Sequence, residues 1–288
     1  MTSGTLTLVA TPIGNLGDFP PRAAEALAAA DIIACEDTRV TRKLMTLTGT
    51  TSEARLTAYH DHNGATVRPW LLEQLAAGRN VALVSDAGTP LISDPGYKLV
   101  AACRAQEIPV VAVPGPSAVL AALAVSGLPT DRFFFAGFLT GSKSARREQI
   151  TELAGLRATL VWFETPSRIA VSLAEMADIL GPRQAAVTRE LTKLHEEVRC
   201  GRLDTLAAEM AANRPKGEIV LVVGGRPDTD EEVDDATLDA MLRAELDGQR
   251  LRDAVRAVVE ATGLPRNRVY RAALALDATD DRKWEGAE

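Results

Sequence analysis

The first 125 residues alternate short apolar segments with alanine-rich or amphipathic ones, and this alternation restricts the fold more than any other feature. Apolar strands that alternate with helices typically form a parallel sheet covered on both faces. The predicted strands are 6–10, 31–35, 56–59, 81–84 and 108–113. The predicted helices are 22–30, 38–47, 66–77, 94–104, with Asp94 as N-cap and Pro95 in the first turn, and 117–125. The sequence therefore predicts an N-terminal α/β domain over residues 1–126.

A second α/β domain is predicted over residues 127–225, after the linker-like stretch 126–131. Several of its strands follow one another with short connections, which favours a mixed sheet. The predicted strands are 132–138, 159–163, 185–188, 196–200 and 218–223, and the helices are 144–154, 167–180 and 203–213. Residues 224–236 are rich in Asp, Gly and Pro, which is typical of a solvated linker.

A helical extension is predicted over residues 237–288, with helices at 237–246, 250–262 and 267–277. The turn Gly263 to Pro265 between the last two is typical of a helix-turn-helix unit. The predicted architecture is thus two α/β domains, the first with a parallel and the second with a mixed sheet, followed by a small helical unit.

The composition excludes several classes of protein. With 46% hydrophobic and 25% charged residues the chain is typical of a globular protein rather than of collagen or a disordered tail. The apolar run 118–125 is far shorter than the roughly 20 residues that cross a bilayer, so no membrane association is expected. We find no secretory signal. The three cysteines lie far apart, which indicates a reducing, cytoplasmic setting.

The formal net charge of -7 is unevenly distributed. Residues 1–227 hold 23 acidic and 23 basic side chains, so the whole excess lies in residues 228–288. A negative total argues against a nucleic-acid partner. However, residues 249–271 hold 6 basic and 2 acidic side chains between two acidic stretches. This distribution is compatible with an RNA enzyme that avoids indiscriminate binding to polyanions.

The common nucleotide-binding and metal-binding motifs are absent. The sequence contains neither G-x-G-x-x-G after a strand nor G-x-x-x-x-G-K-[ST]. The only close histidine pair is His60 and His62, which would point to one face if they lay on a strand. Further ligands of matching geometry are lacking, so no metal site is predicted.

Three loops dense in Gly, Pro and small polar residues follow predicted strands of the first domain, at 11–18, 85–96 and 113–118. One such loop alone is more often a tight turn. Three at the carboxyl ends of parallel strands favour a small-molecule cleft, because ligands bind at that edge of open α/β sheets.

Eight segments resemble a known family in order and near-expected spacing: 10–18, 36–39, 59–63, 85–97, 114–118, 126–132, 189–193 and 216–218. Together they are similar to the ribosomal RNA small subunit methyltransferase I family, within the tetrapyrrole methylase-like (class III) methyltransferases. The segment 85–97 is the most specific, and the C-terminal helices are similar to that family's helix-turn-helix extension. One departure is Ser167, where the family pattern has histidine.

The resemblance implies transfer of a methyl group from S-adenosylmethionine to the ribose 2′-oxygen of a cytidine in the decoding region of 16S rRNA. S-adenosylhomocysteine is the implied product, and no metal is needed. The resemblance also implies that the cofactor lies in the cleft between the two α/β domains. The implied partners are 16S rRNA or the small ribosomal subunit and a second copy of the chain.

The expected cofactor-binding residues lie mainly in the loops at the strand ends. Gly88 and Gly115 would let backbone approach the ligand closely. Asp86 either accepts from a ligand amine or hydroxyl or only bonds its own turn. Ser117 caps a helix, contacts the cofactor, or does both. The expected set is Pro12, Gly14, Asp86, Ala87, Gly88, Pro90, Pro114, Ser117, Ala118, Phe163, Glu164, Leu191 and Gly217.

A ribose hydroxyl is a poor nucleophile until its proton leaves, so a general base is expected unless alignment alone suffices. The main candidates are Asp37, His60, Glu190 and Lys193, and Asp61 and Glu164 are further ones. Lys193 acts as a base if burial lowers its pKa, or else pairs with a phosphate. Glu190 is a base, or only balances neighbouring cations. The sequence leaves this choice open.

RNA binding requires a basic surface. Two predicted helices carry basic clusters, formed by Arg39, Arg42 and Lys43 and by Lys143, Arg146 and Arg147. Each cluster taken alone is more often a solvated helix face. Tyr59, Trp70 and Phe163 either stack on a base or belong to the core.

Two other functions compete with an RNA methyltransferase. One is a methylase of a tetrapyrrole or another small molecule, and the other is a metabolite-sensing DNA-binding regulator that reads DNA with residues 250–277. The basic helices and the extension favour RNA over a small molecule. The number of polar loops exceeds what a sensor requires.

Overall fold

The computed structural model describes residues 3–227, 235–246, 250–262, 264 and 266–284. Residues 1–225 form one compact unit and residues 226–288 form a second. Both predicted sheets lie in the first unit, so the domain boundary at residue 126 and the start of the extension at residue 237 stay predictions.

The first sheet is parallel throughout, as predicted. Its strands are Leu6–Val9 (β1), Ile32–Cys35 (β2), Arg55–Ala58 (β3), Val81–Val84 (β4) and Val110–Val113 (β5). They are ordered β3-β2-β4-β1-β5, with Leu6 opposite both Val81 and Val110. The carboxyl ends of β4, β1 and β5 are therefore adjacent, and the three polar loops leave the sheet side by side.

Five α-helices belong to this half, in addition to the short 3-10 helix Leu16–Asp18: Pro21–Ala29 (α1), Thr38–Thr48 (α2), Gly64–Ala76 (α3), Tyr97–Ala105 (α4) and Ala118–Ser126 (α5). Strands β2 and β4 are buried at every position, because both faces of the sheet are covered. Ile32 packs with Leu71 and Leu99 in one core cluster, whereas the next residue, Ile33, packs with Leu27 in another.

The second sheet is mixed, also as predicted. Its strands are Phe133–Phe138 (β6), Thr159–Glu164 (β7), Gln184–Arg189 (β8), Glu197–Arg202 (β9) and Ile219–Val223 (β10). The order is β6-β7-β10-β8-β9, and only β6 and β7 are parallel.

Helices Lys143–Glu152 (α6), Ile169–Leu180 (α7) and Leu203–Ala212 (α8) contribute to the core on one face of this sheet, around Trp162. Helix α5 packs on the other face, where Ala122 and Leu123 meet Val161 and Val222. The helix that ends the first half thus completes the core of the second.

One local prediction is wrong. Helix α4 begins at Tyr97 rather than at Asp94 and Pro95, because Gly96 adopts φ +139° and interrupts the helical backbone. His60 and His62 lie in the turn after β3, beyond the predicted strand 56–59, and their rings meet edge to face at 5.9 Å.

The second unit contains helices Asp235–Leu246 (α9), Leu251–Thr262 (α10) and Arg266–Trp284 (α11). Its core includes Leu238, Leu242, Val255, Val258 and Val269. The predicted turn residues Gly263 and Pro265 lie outside the described residues. Among the described helices, none combines the length and the apolarity that a bilayer crossing requires.

Candidate active site

The three polar loops of the first sheet are tied together by hydrogen bonds. Thr11 and Gly88 exchange both of their backbone hydrogen bonds, at 2.9 and 3.0 Å, which joins the first loop to the second. Gly88 has φ +82°, a conformation that a side chain would strain. The hydroxyl of Thr89 donates to the carbonyl of Pro116 at 3.0 Å, which joins the second loop to the third. Residues far apart in sequence thus form one wall.

These loops enclose a cavity of about 410 Å³, a size typical of small-molecule sites. The opposite wall comes from the second sheet, at the end of β7 and the start of β10. The cavity is lined by Ile13, Asp86, Ala87, Gly88, Thr89, Ile92, Ser93, Asp94, Ser117, Ala118, Val119, Phe138, Phe163, Glu164, Thr165, Pro166, Gly217, Glu218, Ile219 and Val220.

Eight of the thirteen expected cofactor residues line this cavity: Asp86, Ala87, Gly88, Ser117, Ala118, Phe163, Glu164 and Gly217. The other five do not line it: Pro12, Gly14, Pro90, Pro114 and Leu191. Leu191 is buried in a core cluster with Ile13 instead. Gly115 is not a lining residue either. A Cβ atom there would lie 2.9 Å from the Cβ of Ala10, so its small size serves the packing of one loop on another.

Several lining residues are not among those expected from the sequence. Ile13 and Ile92 are apolar residues inside otherwise polar loops, and this contrast could have identified them in the sequence as lining residues. Phe138 and Phe163 meet at a ring-centroid distance of 5.3 Å, and Phe135 reaches Phe163 at 4.9 Å. This aromatic cluster contributes an apolar side to the cavity.

Asp86 and Asp37 are joined by a hydrogen bond from the backbone N–H of Asp37 to Oδ1 of Asp86, at 3.1 Å. Partial loss of hydration raises the pKa of Asp86, and the charge of Asp37 adds to this effect. Asp37 itself caps α2 and pairs with Arg39 at 2.6 Å. The hydrogen bonds from Arg39 hold the pKa of Asp37 at about 2, so this carboxylate is a weak proton acceptor.

Asp94 is a cavity carboxylate that was expected only as a helix N-cap. It is half-buried on the lining, in the segment before Gly96. Burial raises its pKa to about 6, and the negative charges of Glu36 and Asp86 act in the same direction. A general base is most effective when its pKa lies near the operating pH. Asp94 fits that requirement better than Asp37 does.

Glu164 has no exposed side-chain surface and holds the end of β7 in place. Its Oε2 accepts from the hydroxyl of Ser172 at 2.6 Å, and its Oε1 accepts from the backbone N–H of Thr165 at 2.7 Å. Arg168 pairs with it at 2.9 Å. With both oxygens engaged, Glu164 is better suited to shaping the cavity wall than to accepting a proton.

Lys193 and Glu190 form one ionic network with Glu218. The Nζ of Lys193 lies 3.0 Å from Oε1 of Glu190 and 2.9 Å from Oε2 of Glu218. Burial alone would lower the pKa of Lys193, but the hydrogen bonds to the two carboxylates outweigh it, and the pKa is raised. The pKa of Glu190 is lowered by the backbone N–H of Glu218 and by Lys193. The lowered lysine pKa that a base would need is therefore not found.

His60 and Asp61 lie outside the cavity lining, in the turn after β3. The backbone N–H of His60 donates to Asn63, and the buried Nδ1 of its ring has no partner among the described residues. Tyr59 and Trp70 pack in the core of the first sheet. The residues that the structure describes contain no group of three or more His, Cys, Asp or Glu side chains that could hold a metal ion.

The two predicted basic clusters differ in their surroundings. Arg39, Arg42 and Lys43 line a shallow depression of about 350 Å³ on α2. Lys143 is exposed, and Arg147 is partly exposed beside Asp178. Arg146, by contrast, is buried and paired with Glu175 at 2.6 Å. The predicted RNA contact of Arg146 does not fit this placement, because its guanidinium already has an internal partner.

Comparisons with known proteins agree with this architecture. Residues 5–207 match the family model of Tetrapyrrole (Corrin/Porphyrin) Methylases, and residues 232–277 match that of the RsmI C-terminal HTH domain. Uroporphyrin-III-C-methyltransferase from Thermus thermophilus has a similar structure, with a TM-score of 0.54. It is 22% identical in sequence over 77% of this chain and 94% of its own, which supports the fold alone.

Two curated relatives are similar over nearly their whole length, and both are named ribosomal RNA small subunit methyltransferase I. The protein from Mesorhizobium japonicum is 49% identical and covers 95% of this chain and 92% of its own. The one from Xylella fastidiosa is 47% identical over 93% of this chain and 98% of its own. The chain therefore belongs to the tetrapyrrole methylase family and, within it, to the ribosomal RNA small subunit methyltransferase I family.

Proposed function

We propose that this chain transfers a methyl group from S-adenosylmethionine to the ribose 2′-oxygen of a cytidine in the decoding region of 16S rRNA. The observation that carries the proposal is the cavity on which the loops of the first sheet and the ends of β7 and β10 converge. Eight residues expected at the cofactor line it. The family membership supports the RNA substrate.

The residues present fit S-adenosylmethionine. Phe163 and Ile13 contribute an apolar wall, while Asp86 and Asp94 provide negative charge that favours a sulfonium cation. Bound S-adenosylmethionine supplies an electrophilic methyl group. Asp86 is placed to accept from an amine or hydroxyl of the cofactor. The hydroxyl of Ser117 already caps α5 by accepting from the N–H of Leu120, so a cofactor contact would be its second role.

Asp94 is our candidate for the group that accepts the ribose proton. It lines the cavity and is half-buried. Asp37, His60 and Lys193 do not line the cavity, and neither does Glu190. Much of the barrier reduction is still expected to come from the alignment of the reacting atoms by the cavity walls.

RNA contacts are proposed at the exposed residues Arg39, Arg42, Lys43 and Lys143 and at the partly exposed Arg147. The first three lie on α2, whose N-cap Asp37 is bonded to Asp86 at the cavity. An RNA strand held by α2 would therefore lie beside the cavity. The proposal places the enzyme in the cytoplasm, together with its substrate.

The decisive experiment supplies tritiated S-adenosylmethionine to the purified protein with either 16S rRNA or small subunits from an unmethylated strain. We expect label in RNA, at a ribose. A parallel reaction contains a tetrapyrrole substrate, and label there but not in RNA would overturn the proposal. Tight binding to a DNA duplex without any transfer would support a regulator instead.

A homodimer is also proposed. Phe133 and Phe134 are each 44% exposed on β6, an edge strand of the second sheet, and such large exposed apolar side chains are typical of an interface. Light scattering after size-exclusion chromatography should give twice the chain mass. Replacing both phenylalanines with serine should shift the protein towards monomer, and an unchanged dimer would assign the interface elsewhere.

A further inference from the structure

A second concavity, of about 290 Å³, lies at the β9 edge of the second sheet and carries four cations. It is formed by β8, the edge strand β9 and the segment between α8 and β10. We call this concavity the basic groove. Its lining includes four cations, Arg189, Arg199, Arg214 and Lys216, and a single carboxylate, Glu197. None of the four was expected to bind RNA.

The single carboxylate is shared by two guanidinium groups. Arg189 lies directly opposite Glu197 in the register of β8 and β9. The Nε of Arg189 donates to Oε2 at 3.0 Å, and the Nε of Arg199 donates to Oε1 at 2.7 Å. The hydrogen bonds from Arg199, and then from Arg189, lower the pKa of Glu197 despite its partial burial. One negative charge thus faces two positive ones and holds both in fixed positions.

The other two cations increase the imbalance. Arg214 is exposed, and its Nε donates to the carbonyl of Pro166 at 3.1 Å. Lys216 is exposed, and no carboxylate of the described residues lies within ion-pair distance of its Nζ. The lining of the basic groove therefore carries four cations and one anion, with the carboxylate of Glu209 outside the lining at 3.9 Å from Arg199. A surplus of oriented guanidinium groups suits a phosphate, whose oxygens accept paired N–H bonds.

The terminal nitrogens of the two strand arginines are only weakly used. Nη1 of Arg189 donates to the carbonyl of Lys216 at 3.3 Å. The ion-pair contact of Nη1 of Arg199 is with Glu209 at 3.9 Å, beyond hydrogen-bond range. Within the described part of the chain, Nη2 of both residues has no hydrogen-bond acceptor. These donors are free to take an anion.

The basic groove and the cavity share one short segment. Lys216 lies in the groove, whereas the next two residues, Gly217 and Glu218, line the cavity. Pro166, which accepts the hydrogen bond of Arg214, also lines the cavity. A strand bound in the groove would therefore pass next to the cavity.

We propose that the basic groove binds a phosphodiester of the RNA substrate and so holds the strand whose ribose enters the cavity. This inference rests on the proposed function, because it requires a nucleic acid at the cavity. A phosphodiester strand is favoured over an acidic peptide because the groove adjoins the cavity through the segment that joins Lys216 to Gly217 and Glu218.

The test uses the full chain with Arg214→Gln and Lys216→Gln together. Neither side chain belongs to the Glu197 network, so the variant should fold. Binding of a decoding-region RNA oligonucleotide is measured by fluorescence anisotropy between low and high salt. We expect roughly tenfold weaker binding and a log–log salt slope reduced by about 1.4, which is two contacts at about 0.7 each for a single strand. Calorimetry with S-adenosylhomocysteine should give the same affinity as the unaltered chain.

The matched control replaces Arg79 and Arg104 with glutamine. Both are exposed, and they lie near the amino ends of β4 and β5, whereas the polar loops leave the carboxyl ends of these strands. This variant should bind the oligonucleotide with unchanged affinity and slope. If both variants lost the same RNA affinity, the loss would be due to net charge alone, and the assignment of the groove would be wrong.

The binding readout separates this inference from the proposed function. If the unaltered protein methylates RNA while the groove variant keeps its affinity and salt slope, the groove assignment fails and the function stands. If methyl transfer is absent but the groove variant still loses RNA affinity, the groove is supported and the function fails. Weaker binding to assembled small subunits, with unchanged binding to the oligonucleotide, would overturn the RNA assignment in favour of an acidic protein partner.

Discussion

Arg146 holds Glu175 in a bidentate ion pair, with Nε–Oε2 at 2.6 Å and Nη2–Oε1 at 3.0 Å. The side chains are only 7% and 8% exposed. Nη1 of Arg146 also donates to the carbonyl of Gly141 at 3.2 Å. The pair thus joins α6 to α7 and to the loop that precedes α6. Its role is to hold the fold together, although the sequence places Arg146 among surface cations.

Replacing Arg146 with alanine should lower the free energy of unfolding by about 3–5 kcal/mol, because it leaves a buried carboxylate without a partner. Arg147→Ala is the matched control. Its partner Asp178 is exposed, and such a pair contributes about 0–1 kcal/mol. Urea unfolding of both variants measures the difference. Equal losses would contradict the assignment of Arg146 to the core.

The ion pair of Arg146 and Glu175 should also make the free energy of unfolding fall at acidic pH. The hydrogen bond from Arg146 lowers the pKa of Glu175 in the folded protein, although burial opposes it. The stabilisation is therefore present above the ordinary glutamate pKa and is lost as the pH falls through the lowered value. Unfolding measured from pH 7 downwards should show this loss in the unaltered chain and a smaller one in Arg146→Ala. If stability fell equally with pH in both proteins, the Arg146–Glu175 pair would not be the source of the acid sensitivity.

Asp94→Asn should lower kcat by about 10²–10⁴-fold if Asp94 is the general base. In the unaltered enzyme, kcat/KM should rise with pH through about 6, where Asp94 ionises in the free protein, and then level off. The variant should lose this rise while its affinity for S-adenosylhomocysteine changes little. Asp131→Asn, an exposed aspartate outside the cavity, should leave the profile unchanged. A normal kcat in Asp94→Asn would falsify the role of Asp94.

The stability of Asp94→Asn provides an independent check. Because the folded-state pKa is raised, ionisation of Asp94 costs stability as the pH rises from the ordinary aspartate value through about 6. The asparagine variant should consequently gain Tm at pH 8 relative to the unaltered chain and gain little below pH 4. A gain of the same size at both pH values would point to another cause.

Asp86→Ala should weaken the binding of S-adenosylhomocysteine about 10- to 100-fold, as expected for a lost hydrogen bond to a charged group of 1.5–3 kcal/mol. Calorimetry measures this, with Asp131→Ala as the control. An unchanged affinity would remove Asp86 from the cofactor site. Its hydrogen bond to the backbone of Asp37 would then be its whole role.

Gly217→Ala should disturb both the cavity edge and the Lys193 network. Gly217 has φ +90°, and a Cβ atom there would lie 2.5 Å from Cγ and Cδ of Glu190. We expect a loss of about 1–3 kcal/mol from backbone strain alone. The clash should add to this loss and weaken cofactor binding.

Gly127→Ala separates strain from clash, because Gly127 has a similar φ of +71° but open space around it. It should lose stability while retaining cofactor affinity. Gly155→Ala has neither feature and should change neither quantity. If Gly217→Ala and Gly127→Ala lost the same stability and both retained cofactor affinity, the contact of residue 217 with Glu190 would not affect the cavity.

Local patterns were sufficient for the architecture. Strands β2 and β4 are covered on both faces, so all of their residues are apolar. Such continuous apolar segments can be recognised in the sequence as strands. Capping by Ser117 is one of the roles that the sequence offers and the one that the structure shows, because capping depends on a few neighbouring residues. Asp94 was misassigned by the same reasoning, since nothing local shows that Gly96 would take φ +139° and delay α4 to Tyr97.

By itself the sequence determined the alternation of strands and helices, the parallel and mixed sheets, the three polar loops and the family resemblance. All of these depend on residue types at short spacing. Only the tertiary structure decided the state of the charged groups, because a pKa or an ion pair depends on partners distant in sequence. Burial beside Glu36 and Asp86 sets the pKa of Asp94, and Glu190 with Glu218 sets that of Lys193. Glu175, 29 residues along the chain, makes Arg146 a core residue rather than a surface cation.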